Sequence, residues 1–348
     1  MKAIAVSAWP IVAGIALAWA LQQLLAPLIG PFYAKVLLDI GIAIVAAGSL
    51  NIVNGLAGQF SIGHAGFMMV GGYTAAWVTY YGSIALWGSP ALHGGFLGGG
   101  DLLFLGACVL GAVLAGVAGL LVGLPSLRLR GDYLAIVTLG FGEIMRAIAQ
   151  QTDDVLPPAA AARTGFFASI SHVGGSLGFG EAPTYTRLFY VYVFAALLLI
   201  AAYRLKYSSR GRALLAVREN EIAAEAVGVD TARVKIVAFV MAAAFAGIAG
   251  ALFAHELGTT LNPRELGVQK SIDLVIIVVL GGMGSISGVV LAAAALTVMP
   301  ELFRSFEDYR MPVYALALIA VMILRPTGLM GLGEVWETRW WKRLWRRA

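Results

Sequence analysis

Ten apolar stretches, each near the length of a membrane-spanning helix, dominate this sequence. They lie at about 8–29, 36–56, 60–81, 102–124, 133–151, 188–205, 234–257, 272–283, 286–303 and 312–324. A helix needs about 20 residues to cross the hydrocarbon core, and most of these stretches qualify. Hydrophobic residues make up 60% of the chain and charged residues 12%, about half the roughly 25% usual in soluble domains, so lipid must cover part of the surface.

The sequence therefore predicts an all-α integral membrane protein, a polytopic bundle of about ten transmembrane helices. Eight or nine spans remain open, because hydropathy does not separate a spanning hairpin from a re-entrant one. The first apolar stretch runs to about Ile29, too long for a signal peptide, and is interpreted as a retained helix. We expect residues 1–348 to form one transmembrane domain.

Basic residues lie in short tracts beside the apolar stretches, which is the positive-inside pattern and not a nucleic-acid surface. Residues 204–235 hold seven lysines and arginines, the turn at Arg128 and Arg130 is basic, and the tail 326–348 is basic and rich in tryptophan. These regions are predicted to be cytoplasmic, and residues 82–101 and 153–187 to lie outside. Both termini are then cytoplasmic.

Two glycine-rich breaks interrupt the apolar pattern, the first break at residues 55–63 and the second break at residues 281–288. Their similar glycine spacing fits either a duplicated membrane unit or convergent glycine use. The second break follows a short stretch, which indicates half-length or broken helices that meet inside the protein. Polar residues cluster at the first break and are candidates for a substrate pathway: Asn51, Asn54, Gln59, Ser61 and His64. The glycines fit close helix packing equally well.

Glu143 is a further pathway candidate, because it lies ten residues into the fifth apolar helix and thus about 15 Å deep. A carboxylate at that depth usually faces the bundle or a water-filled path. Arg146 follows at i+3, so a structural ion pair is one interpretation. The others are a pathway residue that meets a substrate ammonium, and a protonated, tolerated acid.

The cytoplasmic loop 206–232 is predicted to contain a helix over residues 211–228, with Gly228 placed to end it. Leu214, Val217, Ile222 and Val227 give it a partial apolar face. A short rigid helix at this place fits a docking element for a partner. A helix that lies on the membrane surface and anchors the topology is the alternative.

The sequence lacks the motifs of phosphate-binding, catalytic and metal-binding sites. No phosphate-binding loop occurs, so this chain is not expected to hydrolyse ATP itself. No nucleophile–base set is visible, and we expect neither enzymatic activity nor a cofactor. The four histidines lack metal-ligand spacing and are interpreted as hydrogen-bonding or interface residues, and the lone Cys108 implies no disulfide.

Three ordered blocks resemble one family, the branched-chain amino acid permeases of ABC importers of the LivM/LivH type. The blocks are residues 51–67, residues 131–146 and the run Val279-Leu280-Gly281-Gly282-Met283-Gly284-Ser285. Within the second block, Gly131-Asp132-Tyr133 and Thr138-Leu139-Gly140-Phe141-Gly142-Glu143 favour the LivM type. The similarity runs from about residue 36 to residue 330. The cytoplasmic loop also resembles the coupling loop of such permeases, matching its signature at Glu221, Ala223, Ala224 and Gly228 with Ile222 interposed.

The resemblance implies the ABC importer permease fold and a place in the bacterial inner membrane. It implies import of branched-chain amino acids, driven by two cytoplasmic ATPases, beside a second LivH-like permease and a periplasmic binding protein that does most of the selection. The residues expected to couple to the ATPases are Arg218, Glu219, Glu221, Ala223, Ala224 and Gly228.

Alternative functions differ in what they require of the sequence. A permease for urea or short-chain amides would share much of this pattern. An ion-coupled secondary transporter should carry several intramembrane acids, and only Glu143 and Asp273 are candidates by sequence. A membrane enzyme or scaffold has no catalytic cluster in its favour.

Overall fold

The structure is a computed structural model that describes residues 2–25, 28–126, 133–256, 259–303, 310–325, 327–331 and 333–337. Thirteen α-helices are found in these ranges, with a single isolated β-bridge between Phe179 and Leu261. The helices are α1 Lys2–Ala20, α2 Pro31–Asn51, α3 His64–Trp87, α4 Gly99–Ser126, α5 Tyr133–Gln150, α6 Pro158–Thr164, α7 Leu188–Lys206, α8 Ser209–Glu219, α9 Glu221–Ala226, α10 Thr231–Ala254, α11 Val268–Gly281, α12 Ile286–Leu302 and α13 Arg310–Leu324. Short π-helical turns extend α1 over Leu21–Leu25 and α2 over Ile52–Leu56.

Each of the ten predicted apolar stretches contains a helix, from 14 residues in α11 to 28 residues in α4. Four described segments are both long and apolar enough to cross a membrane: Pro31–Leu56, Gly99–Pro125, Leu188–Lys206 and Thr231–Ala254. The prediction of an all-α polytopic membrane fold is therefore confirmed, and the number of spans stays a prediction. The basic turn at Arg128 and Arg130 and the tail from residue 338 onward lie outside the described residues.

A seam of small residues joins α3, α4 and α10, which form the centre of the bundle. A Cβ atom on Gly250 would collide with the carbonyl of Met68, and one on Gly71 with the backbone of Gly247. On the other side, a Cβ on Gly247 would lie 2.6 Å from the Cβ of Ala115. Backbones this close gain dispersion contacts that larger residues would prevent, which is how helices associate in lipid. The abundant glycines thus serve packing at this seam.

Helix α11 is a half-length helix that begins inside the bundle. Its 14 residues span about 21 Å at 1.5 Å per residue, less than the roughly 30 Å hydrocarbon core. Near its start, Ser271 Oγ accepts a hydrogen bond of 3.0 Å from the backbone N–H of Ala65, in the first turn of α3. Just before it, Gly267 packs against Arg146 and Glu143, in the second half of α5. The described residues 255–256 and 259–267 therefore lie between the end of α10 and the start of α11 inside the bundle.

Candidate functional site

The two glycine-rich breaks meet at one end of the molecule, and Asn51 joins them. Its Nδ2 donates to Ser285 O at 3.1 Å, and its Oδ1 accepts from Gly284 N at 2.8 Å. Both groups belong to the second break, more than 230 residues further along the chain. Asn51 is only 3% exposed, so it supplies hydrogen bonds that buried backbone groups would otherwise lack. A Cβ on Gly55 would collide with Gly284 N, which is why the first break needs glycine there.

The other polar residues at the first break hold the backbone of that break in its conformation. Asn54 pairs with the backbone of Ser61, accepting from its N–H at 3.1 Å and donating to its carbonyl at 3.3 Å. The Oγ of Ser61 is buried without a hydrogen-bond partner among the described residues. His64 Nε2 lies 2.7 Å from Ser49 Oγ. Gln59 is partly exposed. Four of the five pathway candidates at the first break are thus part of a buried scaffold, and their role in transport stays a proposal.

All four histidines make hydrogen bonds of the kind expected from the sequence. His64 contacts Ser49, His93 contacts Ser89, His172 contacts the carbonyl of Asp154, and His255 contacts Thr79 and the carbonyl of Ala251. The described residues contain no group of three or more side chains suited to hold a metal ion.

The loop of residues 206–232 forms two short helices, so the expectation of one helix over residues 211–228 is wrong. Asn220 adopts an extended conformation between α8 and α9, and its Oδ1 accepts from Ala223 N at 3.0 Å. Asparagine favours such an N-cap over a helix interior, because its side chain competes for backbone N–H groups. Gly228, with a φ of 85°, ends α9 as expected, and the N–H of Val229 returns to the carbonyl of Ala224 at 3.0 Å.

Arg218 of α8 links this loop to both breaks. Its Nη1 donates to Gly55 O at 2.6 Å and approaches Met283 O at 3.4 Å. The side-chain stem packs on Gly58, whose φ of 66° suits glycine. Leu214 and Val217 are buried on the same side of α8. A displacement of α8 therefore acts directly on the backbone of the two breaks.

Helix α9 presents its apolar residues outward. Ile222 is 65% exposed and Val227 is 79% exposed, so the predicted apolar face is divided between the core side of α8 and the free side of α9. Glu219 and Ala223 are exposed as well, whereas Ala224 is buried at 3%. Glu221 forms an ion pair with the buried Lys235 at the start of α10 and thereby holds α9 in place.

A buried carboxylate, Glu334, closes the same end of the molecule. It accepts hydrogen bonds from the N–H groups of Ile286 and Ser287 at 3.0 and 2.9 Å, at the N-terminus of α12. Lys206 pairs with it at 2.5 Å and also donates to Gly284 O at 2.9 Å. Burial alone would raise the pKa of Glu334, but these donors and Ser287 Oγ together lower the pKa below its ordinary value. The residue stays ionised where the helix dipole favours negative charge.

Sequence reasoning missed Glu334, and it used Lys206 only as a topological charge. No local pattern signals the pair, because 128 residues separate them. The nearest signal is the Ser285-Ile286-Ser287-Gly288 run, which begins a helix without an acidic residue in its first turn. Such a helix start leaves room for a carboxylate from elsewhere in the chain.

Glu143 is found in an ion pair with Arg146 on α5. Arg146 Nε and Nη2 reach Glu143 Oε2 at 2.7 and 2.6 Å, and both side chains are 33% exposed. Arg146 also donates to Gln150 Oε1 at 3.2 Å, which extends the polar strip by a further turn. The pair lies beside Gly267, where the chain reaches α11. The structure thus provides the ion-pair geometry, and the functional role of Glu143 stays a prediction.

More acids lie within or beside the apolar helices than the sequence indicated. Glu256, 1% exposed just after α10, pairs with Lys35 of α2 at 3.0 Å, and Asp39 lies close to it. Asp101 in the first turn of α4 accepts from Tyr190 at 2.6 Å. Asp39 lies within the apolar span Pro31–Leu56, so the expectation that only Glu143 and Asp273 are intramembrane candidates is wrong. Glu256 and Asp101 lie at helix ends. Single acids between apolar residues carry no hydropathy signal of their own, so the sequence underestimated them.

Comparison with known proteins gives consistent results. The family model for the permease component of branched-chain amino acid transport systems matches residues 32–325. The high-affinity branched-chain amino acid transport permease LivM of Escherichia coli is 36% identical over 310 residues, covering 83% of this chain and 68% of that protein.

Two further relatives extend the comparison. A probable LivM permease of Methanocaldococcus jannaschii is 24% identical over 329 residues, covering 85% of this chain and 92% of that protein. The LivH permease of Salmonella typhimurium is 32% identical over 166 residues, covering 47% of this chain and 53% of that protein. No solved structure matches the chain significantly.

Proposed function

The chain belongs to the family of branched-chain amino acid transport permeases, and from that premise we propose that it is one translocation subunit of an ATP-driven importer for these amino acids. The proposal rests most directly on the coupling loop, residues 206–232. Its inner side is bound to both glycine-rich breaks through Arg218, and its outer side is free. A chain without a phosphate-binding loop needs such a surface so that a partner ATPase can bind it and move it.

The ATPase contact is assigned to the outward face of α9. Ile222 and Val227 are large apolar side chains in water unless a partner covers them, and Glu219 and Ala223 lie beside them. Exposed apolar residues with a charged rim are typical of protein–protein contacts. Ala224 belongs to the inner side, so its expected role is to let α9 pack closely on its own subunit. Gly228 ends α9 and leaves this face short and rigid.

The orientation follows from the charges around that face. Arg210, Arg212 and Arg233 are exposed at the end of the bundle that carries the breaks. We assign this end to the cytoplasm and the loops around the Phe179–Leu261 bridge to the periplasm. A binding protein would deliver substrate there, and a second permease of the LivH type would complete the path.

Among the alternatives, import of branched-chain amino acids is favoured over import of urea or short-chain amides by the names of the relatives. The number of intramembrane acids no longer argues against an ion-coupled transporter. The coupling loop does, because a secondary transporter has no ATPase for Ile222 and Val227 to contact.

The proposal is tested by disrupting the outward face of α9. Ile222→Asp and Val227→Asp should each abolish co-purification of the two ATPases and leucine uptake, while the permease still inserts. Leu177→Asp is the matched control, because Leu177 is 75% exposed on a loop assigned to the periplasm and should not alter ATPase binding. Retention of the ATPases by the Ile222→Asp and Val227→Asp variants, at normal expression, would contradict the assignment.

Ala223→Trp and Ala224→Trp separate the two sides of the same helix. Ala223 is exposed, so the Ala223→Trp permease should be as stable as the wild type but should no longer co-purify with the ATPases. The buried Ala224 has no room for an indole, so Ala224→Trp should lower the thermal stability of the permease itself. The opposite pattern would place the docking face on the other side of α9.

A further inference from the structure

A cavity of about 550 Å³ lies between α2, α11 and α12, with single contributions from α3 and α10. Its volume falls within the roughly 300–1,000 Å³ of small-molecule sites. The lining is divided by chemistry. One part is aliphatic and includes Ile42, Leu274, Ile277 and Leu296. The other part carries ionisable and amide groups.

The polar part gathers both signs of charge. Asp39 comes from α2, and Gln269, Lys270 and Asp273 come from the first two turns of α11. Gln269 Nε2 donates to Asp273 Oδ1 at 3.3 Å. Lys270 Nζ lies 5.4 Å from the ring centre of Phe253. Two carboxylates and one ammonium thus face the cavity, and Asp39 also lies close to the Glu256–Lys35 pair outside the lining.

The position of these charged groups inside the bundle fits a water-filled cavity. Asp39 lies eight residues, or about 12 Å, from the start of α2 at Pro31, and twelve residues, or about 18 Å, from its end at Asn51. Helix α11 begins at the depth of Glu143, since Gly267 contacts that side chain. Ionisable groups inside a membrane bundle are costly against lipid, so they pair with one another or face a water-filled space. Phe253, one residue before the end of α10, also lines the cavity, so the cavity extends from the middle of the bundle toward the end opposite the breaks. Transporters bind their substrates in aqueous cavities inside the bundle.

We propose that this cavity binds the transported amino acid as a zwitterion, an inference that rests on the proposed function. The first turn of half-helix α11, with Lys270, faces the substrate carboxylate, because helix N-termini and ammonium groups both favour an anion. Asp39 and Asp273 bind the substrate ammonium. The aliphatic wall of Ile42, Leu274 and Leu296 covers the branched side chain. The site differs from the polar residues of the first break, none of which lines this cavity.

The test uses cysteine protection in the assembled importer without its binding protein. Thr297 of α12 lines the cavity, and Ala295 on the same helix is exposed outside it. In a cysteine-free background, Thr297→Cys should react with a charged, membrane-impermeant thiosulfonate, and L-leucine should slow that reaction. Ala295→Cys is the matched control, and leucine should not change its reactivity.

Three comparisons define the chemistry of the site. Asp273→Asn, combined with Thr297→Cys, should raise the leucine concentration for half-protection by about tenfold or more, the effect of losing one charged hydrogen bond. The probe 4-methylpentanoate lacks the ammonium, and 3-methylbutylamine lacks the carboxylate. Each should protect at least about tenfold less well than leucine.

The outcomes separate the site from the function. Equal protection by 3-methylbutylamine and leucine, or unchanged protection in Asp273→Asn, would overturn a zwitterion site. If the Thr297→Cys importer takes up leucine but leucine does not slow the thiosulfonate reaction, the proposed site is wrong and the proposed function stands. Protection by leucine in an assembled importer that takes up no branched-chain amino acid would overturn the function and keep the site.

Discussion

Replacing Arg218 with methionine tests whether the coupling loop acts on the breaks through this one side chain. The guanidinium donates to Gly55 O at 2.6 Å and to Met283 O at 3.4 Å. A hydrogen bond from a charged donor contributes about 1.5–3 kcal/mol, and the second contact is too long to add a comparable amount. Methionine keeps an apolar stem against Gly58. The link should therefore weaken by about 1.5–3 kcal/mol, or roughly 10- to 150-fold.

The assay is the reconstituted importer in liposomes, with ATP hydrolysis and leucine uptake measured on the same sample. Arg218→Met should keep basal hydrolysis, while uptake per ATP falls about tenfold or more. Arg218→Lys should be intermediate, because an ammonium reaches one carbonyl but lacks the planar fork. Arg212→Met is the control, since Arg212 is exposed on the same helix and contacts Ser209. Wild-type uptake per ATP in Arg218→Met, with normal assembly, would refute the reasoning.

Three further measurements address other parts of the molecule. Glu143→Gln should lower the stability of the importer by at most about 1 kcal/mol, because both side chains of the ion pair are a third exposed. Adding Arg146→Met to this variant should cause little further loss of stability. Normal stability with lost uptake in Glu143→Gln would instead favour a pathway role. Because the pKa of Glu334 is lowered, its stabilisation is complete above the ordinary value of 4.5 and is lost as the pH falls through the folded value. Glu334→Gln should lower the free energy of unfolding by about 3–5 kcal/mol at pH 7 and make stability depend less on pH in the acid range. A variant that loses stability in acid as steeply as the wild type would contradict this prediction. A cysteine at Ser176 should react with an impermeant reagent in intact cells and one at Ser209 should not, and the reverse result would invert the topology.

The helices were predictable because the membrane imposes a simple rule on each segment. Every apolar stretch that the sequence identified holds a helix, and the short stretch before the second break is the half-length α11. Its true start at Val268 was hidden, because Gln269, Lys270 and Asp273 lower the hydropathy of its first turns. The same polar residues line the cavity, so the feature that obscured the helix is the one that carries the proposed site.

The contacts among the breaks were not predictable, because each joins residues far apart in the chain. Asn51 was recognised as a polar residue beside a break, but its partners at Gly284 and Ser285 are set by the packing of α2 against α12. Lys206 and Glu334 are a similar case. The division of the coupling loop at Asn220 had a local cause, and the capping preference of asparagine was the signal available.

The glycine seam of α3, α4 and α10 determines which parts of the subunit can move. Backbones that touch at Gly71, Gly247 and Gly250 cannot slide past each other without carbonyl groups colliding. These three helices therefore act as a fixed frame during a transport cycle. Displacement is left to α2, α11 and α12, which meet at the two breaks, are held there by hydrogen bonds, and enclose the cavity. On the proposed function, a movement of these helices would exchange a few polar contacts at the breaks, at one end of the bundle, while the centre keeps its packing.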